Sequence, residues 1–231
     1  RLDNAYTLTS DRYDSISYLN RNDLRYTGTA YYQLFPKTSV LGEFNIGRIL
    51  YNQGTNNSDS TYYQISGGLE GAYWPKVTGT VKAGYKQTDY DQSVKNNFSG
   101  LTVFGNIKYD MSLRTDVNLY GERGSNESSY GVNSYYEFNR IGLKVNHQLM
   151  ARLVWDIGPY FEYNRYPSET IENGTAAKRE DAIFGAATGL TYELKEYLTL
   201  NFIYNYKQRA SKFDAFDYED NKITIGSSLI F

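Results

Sequence analysis

Cysteine is absent from this sequence, and histidine, tryptophan, proline and long apolar runs are scarce. Each lack excludes something. Without cysteine there is no disulfide framework, no thiolate nucleophile and no cysteine-bound metal, which suits an oxidising envelope where nothing needs stapling. The single histidine, His147, cannot form a metal cluster or a relay with a second imidazole. No Gly-rich phosphate loop is present. No stretch approaches the roughly 20 apolar residues of a membrane-crossing helix. The formal net charge is -2 and the pI about 5.6, so there is no basic excess to draw nucleic acid. Arg1-Leu2-Asp3-Asn4 has neither the apolar core nor the cleavage pattern of a signal peptide, so a mature, trimmed or partial chain is expected. Neither a cofactor nor a metal is expected.

What the chain does have is aromatic residues: 25 Tyr and 11 Phe in 231 positions. Mean hydropathy is -0.61. A sheet that is apolar on one face only gives such a low average. Tyr, with an apolar ring and a wet hydroxyl, suits a membrane interface.

The last ten residues show the organising pattern. Ile223, Ile225, Leu229 and Phe231 alternate with Lys222, Thr224, Gly226 and Ser228. That is the two-residue period of a strand. An aromatic end preceded by alternating apolar residues resembles the closing strand of outer-membrane β-barrel proteins. In such proteins this strand carries the assembly signal, so Ile223, Ile225, Leu229 and Phe231 are its candidates here.

The same period recurs upstream. Strands are expected over 23–35, 39–51, 62–74, 77–90, 101–110, 114–123, 134–149, 154–166, 182–194 and about 198–206. Short turns fall at Pro36-Lys37, Pro75-Lys76, Met111-Ser112-Leu113, Met150-Ala151-Arg152 and Lys195-Glu196. Between them come polar loops at 52–60, 91–99, 124–129, 167–180 and 209–221, the longest of them 167–180. Short turns alternating with long polar loops are the signature of a transmembrane barrel, with periplasmic turns and extracellular loops. Only closure satisfies every backbone group in hydrocarbon. The fold class is therefore all-β: one antiparallel up-and-down transmembrane barrel over 1–231, with about twelve strands, in the bacterial outer membrane. The closing strand runs inward, so an outward strand must precede 23–35. Residues 2–12 supply a weak one. Either the barrel is complete with a poor first strand, or the chain is the C-terminal part of a larger barrel.

Tyr13-Asp14-Ser15, Arg21-Asn22-Asp23, the run from Tyr31 to Ser39 (Tyr-Tyr-Gln-Leu-Phe-Pro-Lys-Thr-Ser) and Asn139-Arg140-Ile141-Gly142-Leu143 are similar to the repeat of the putative β-barrel porin 2 family. The resemblance implies a barrel usually larger than this chain, and an association with exopolysaccharide secretion.

By alternation the inward set includes Arg25, Glu43, Glu70, Lys82, Lys86, Lys108, Asp110, Arg114, Asp116, Glu122, Arg140, Lys144, Asp156, Tyr160, Glu162, Glu193 and Lys207. These are the lumen-lining candidates. For each charge, pairing across strands competes with lining an aqueous path. The expected function is a non-catalytic, porin-like channel for polar solutes or exported polysaccharide. The expected partners are membrane lipid, lipopolysaccharide, the barrel-assembly machinery and export-system proteins. The alternative is a structural or adhesion barrel that displays its loops. An outer-membrane lipase or protease would need histidine in a catalytic constellation. His147 falls on the lipid side near a short turn, the wrong end for either. Asp214, Asp217, Glu219 and Asp220 could gather around Ca²⁺, but a solvated loop is the simpler reading.

Overall fold

The computed structural model describes residues 1–52, 58–92, 96–128 and 132–230. Phe231 lies outside them. Twelve strands follow one another: β1 Leu2–Asp11, β2 Arg21–Phe35, β3 Thr38–Tyr51, β4 Ser60–Trp74, β5 Val77–Tyr90, β6 Phe98–Ser112, β7 Thr115–Glu127, β8 Tyr135–Met150, β9 Leu153–Glu172, β10 Thr175–Lys195, β11 Leu198–Ser211 and β12 Tyr218–Leu229. Each pairs antiparallel with its neighbours in sequence, in one sheet of order β1 to β12. The weak strand expected over 2–12 does form, as Leu2–Asp11, which settles the count at twelve among the described residues.

The register explains why alternation was so regular. Residues directly opposite each other share a face. On one face Thr27 lies opposite Asn45, Asn45 opposite Gln64 and Gln64 opposite Lys86. On the other, Tyr26 meets Ile46, Ile46 meets Tyr63, Ile65 meets Tyr85 and Tyr85 meets Leu101. One face is polar and the other apolar and aromatic. Apolar exposure such as Ile65 at 66% and Ile225 at 79% lies on the second face. Hydrocarbon is the solvent that makes such exposure favourable.

One row of partners shows the stagger. Leu2 lies opposite Ala30, and the row continues through Gly42, Gly67, Ala83, Val103, Arg123, Asn139, Tyr163, Ala182 and Ala210. It starts at the first residue of β1, on the short-turn rim. It ends one residue before the end of β11, on the loop rim. Steady stagger in one direction is the shear that tilted barrel strands require. β1 pairs only with β2 and β12 only with β11, so the sheet has two free edges.

Three of the expected loops are mostly strand. Residues 167–180 form the top of a tall β9–β10 hairpin, turned at Asn173 (φ 50) and Gly174 (φ 79). Asn-Gly with both φ positive is the two-residue hairpin turn that matches strand twist. Pro167 sits where the register slips, between the pairs Glu180–Arg165 and Lys178–Glu169, so its missing N–H costs no ladder bond. Likewise 209–221 is strand except for 212–217, which contains a 3-10 turn at Asp214–Phe216. β7 also runs on to Glu127, through most of the loop expected at 124–129. Replacing Gly174 by Val puts a β-branched side chain at positive φ. It should destabilise the hairpin by about 1–2 kcal/mol, read as a lower urea midpoint of the refolded protein.

The tall hairpin is anchored by a buried charge cluster. Asp181 is wholly buried and accepts two bonds from Arg179, at 2.9 and 2.7 Å, and one from Ser211 at 2.6 Å. Arg209 stands 3.7 Å away. The Arg179 guanidinium lies over the rings of Phe216 and Tyr166, at 3.8 and 4.5 Å. A bulge at Lys178/Glu180 places Arg179 there.

Candidate functional site

The polar face borders a cavity of about 760 Å³ between β2 and β8. Of the inward candidates, Arg25, Glu43, Lys82, Lys86 and Glu122 line this cavity. Asn45, Tyr62, Gln64, Ser66 and Thr102 join them, which charge-based reading passed over although the same alternation marks them. Register puts Glu70, Lys108, Asp116, Arg140, Lys144, Asp156, Tyr160, Glu162 and Lys207 on the same face, elsewhere along it. Glu193, paired with Thr199, and Asp110, two residues beyond Lys108, take that face near the short-turn rim. Arg114 differs. It sits in the exposed turn between β6 and β7, because the hairpin closes at the pair Ser112–Thr115.

Much of the inner charge is paired. Lys82 reaches across β4 to Glu43 at 2.7 Å, Arg25 meets Asp23 at 3.3 Å, and Lys108 meets Asp110 at 3.0 Å. Arg1 meets Glu70 at 3.3 Å. Arg140 bridges the closely held Glu162 and, at 4.0 Å, Glu122. Asp116 accepts from Asn146 at 2.8 Å. Lys207 lies 5.5 Å from the Tyr218 ring. The pairs that span strands, such as Lys82–Glu43 and Arg140–Glu162, tie the wall together.

Three inner tyrosines cover glycines of an adjacent strand: Tyr62 on Gly47, Tyr120 on Gly142 and Tyr160 on Gly185. A Cβ at any of these glycines would collide with the ring. The glycines therefore leave room for the rings to pack against the wall.

One feature escapes alternation. Glu127 holds a position of the outer set, yet its carboxylate accepts bonds from inner-face side chains of three other strands. These are Ser60 of β4 at 2.7 Å, Tyr51 of β3 and Arg21 of β2 at 3.4 Å. Lys86 of β5 donates to the Ser125 carbonyl at 3.0 Å, and Tyr90 to that of Ser134 at 3.2 Å. Gly124 to Glu127 all line the cavity. The end of β7 thus leans inward across the loop-side mouth.

His147 lies on the outer face beside Thr115, whose hydroxyl is 2.8 Å from Nδ1. Ile223, Ile225 and Leu229 also face outward and are exposed. Asp217 accepts the Ser211 amide at 2.6 Å, a turn contact.

Residues 4–230 match the family described as Putative beta-barrel porin 2. The chain belongs to this family. Solved structures share the fold. An outer-membrane channel of Acinetobacter baumannii, DcaP, superimposes with a TM-score of 0.65 at 12% identity, over 99% of this chain and 70% of that one. The ferric enterobactin receptor PfeA of Pseudomonas aeruginosa gives 0.60 at 11%, over 97% and 41%. The FrpB iron transporter of Neisseria meningitidis gives 0.58 at 8%, over 83% and 36%. This chain thus spans about a third to 70% of the length of such neighbours. No curated protein matches it by sequence. Family membership and shared fold place this chain in the bacterial outer membrane, as a barrel-type sheet.

Proposed function

We propose that the inner face is the wall of a passive passage for polar solutes, and that glycan chains are among them. The observation that carries this reading is the mainly polar inner face from β2 to β11, interrupted at positions such as Ile49, Phe104 and Phe138, set against an apolar outer face. Paired charges along the wall offer donors and acceptors without a strong field of one sign. Tyr62, Tyr120 and Tyr160 offer flat apolar faces among polar groups, a mixture that suits sugar rings, which are apolar on their faces and polar at their edges. Passage of this kind needs no chemical step. The outward Ile223, Ile225 and Leu229 support an assembly signal in β12. The tall β9–β10 hairpin favours a second role in display to partners outside the cell.

Liposome swelling tests the passage. Vesicles carrying the refolded chain should swell in isotonic monosaccharide, and more slowly as neutral sugars lengthen. Vesicles that stay tight to monosaccharides would overturn the reading. Swelling with short sugars but none with oligosaccharides would confine it to small solutes.

A further inference from the structure

The five short turns share a feature that the passage does not use. Four carry an exposed cation, Lys37, Lys76, Arg114 and Arg152, and the fifth follows directly on one, Lys195 at the end of β10. None forms an ion pair among the described residues. The arginines at outer positions near the loop rim behave differently: Arg48, Arg123 and Arg165 are matched by Asp91, Glu137 and Glu180, at 3.0, 3.4 and 3.6 Å. Beside the turn cations stand exposed apolar and aromatic residues: Phe35, Trp74, Met150 and Tyr197. The Lys195 ammonium lies 5.8 Å from the Tyr197 ring. One acid, Glu196, shares these turns.

We infer that the short-turn rim is a band that docks anionic phospholipid headgroups of the adjoining leaflet. Aromatic residues hold the headgroup depth, and the neighbouring cations meet phosphate. An anionic polymer entering the passage fits less well. It would meet Asp110, Asp116, Asp156 and Glu193, the acids of the inner face nearest this rim. The inference rests on the membrane setting, not on what the passage carries.

Both tryptophans report on this rim. Trp74 adjoins the Pro75-Lys76 turn, and Trp155 lies two residues past the start of β9. The test uses the Trp155→Phe protein refolded into phosphatidylcholine vesicles containing phosphatidylglycerol, with one or the other lipid brominated. Quenching of Trp74 then gives the relative affinity of the two lipids at the rim. One cation near an anionic headgroup should favour phosphatidylglycerol by about fivefold. The preference should shrink in high salt and disappear in Lys37→Gln/Lys76→Asn. Asparagine is chosen at residue 76 because φ there is 68. Equal quenching by the two lipids would overturn the inference. So would a preference that survives the double substitution.

Discussion

Asp181→Ala is expected to be the most destabilising polar substitution in this porin, by about 3–5 kcal/mol. The carboxylate is the common acceptor of Arg179 and Ser211, with Arg209 at hand, in a site closed to water. Removing it leaves guanidinium charge buried without its anion, and the desolvation already incurred is no longer offset. The consequence should be local as well as global. The cluster joins β10 to β11 and pins the hairpin above them, so protease cleavage near Asn173-Gly174 should accelerate. The control is Arg165→Ala. Its partner Glu180 stands 3.6 Å away on an exposed surface, and its loss should cost under about 1 kcal/mol. Urea titration of both variants in the same lipid compares them directly. Similar midpoints would contradict the account of the cluster.

Glu127→Ala carries the second large effect, on passage rather than folding. Ser60, Tyr51 and Arg21 lose their shared acceptor. Buried donors left without a partner cost about 1–3 kcal/mol. A loss near 2 kcal/mol shifts the equilibrium for release of the β7 end by roughly 30-fold. Unitary conductance should therefore rise, and its distribution should broaden. Ser60→Ala removes one donor and keeps the carboxylate, so it should have a smaller effect of the same sign. Unchanged conductance in Glu127→Ala would mean that the β7 end does not limit the mouth.

The contrast between these two sites and the strands shows what can be read from sequence here. Within hydrocarbon the two faces of a strand meet different solvents, so the choice of side chain reports the face. Lys82, Lys86, Arg140 and Glu162 are inward by alternation alone, and the register places them there. Above the membrane both faces are wet and the code lapses. Residues 167–180 therefore look like a loop, although Asn173-Gly174 is a hairpin signal that outweighs Pro167 and the charges around it. Glu127 illustrates a second limit. Its parity assigns it outward, but its partners lie 67 to 106 residues away on β4 and β2. A bend that exchanges one face for the other leaves no periodic trace. The glycines under Tyr62, Tyr120 and Tyr160 were equally silent, because a gap in the alternation does not say which ring will fill it. Arg114 failed for a simpler reason: strand ends are set by turn closure at Ser112–Thr115, not by the period.

The central claim is that the polar inner face is the wall of a water-filled passage through the membrane. Single-channel recording of the refolded chain in a planar bilayer tests it most directly. The account predicts discrete, stable conductance steps that are approximately ohmic and become larger in Glu127→Ala. Insertion shown by heat-modifiable migration and protease protection, yet without steps in either protein, would contradict it.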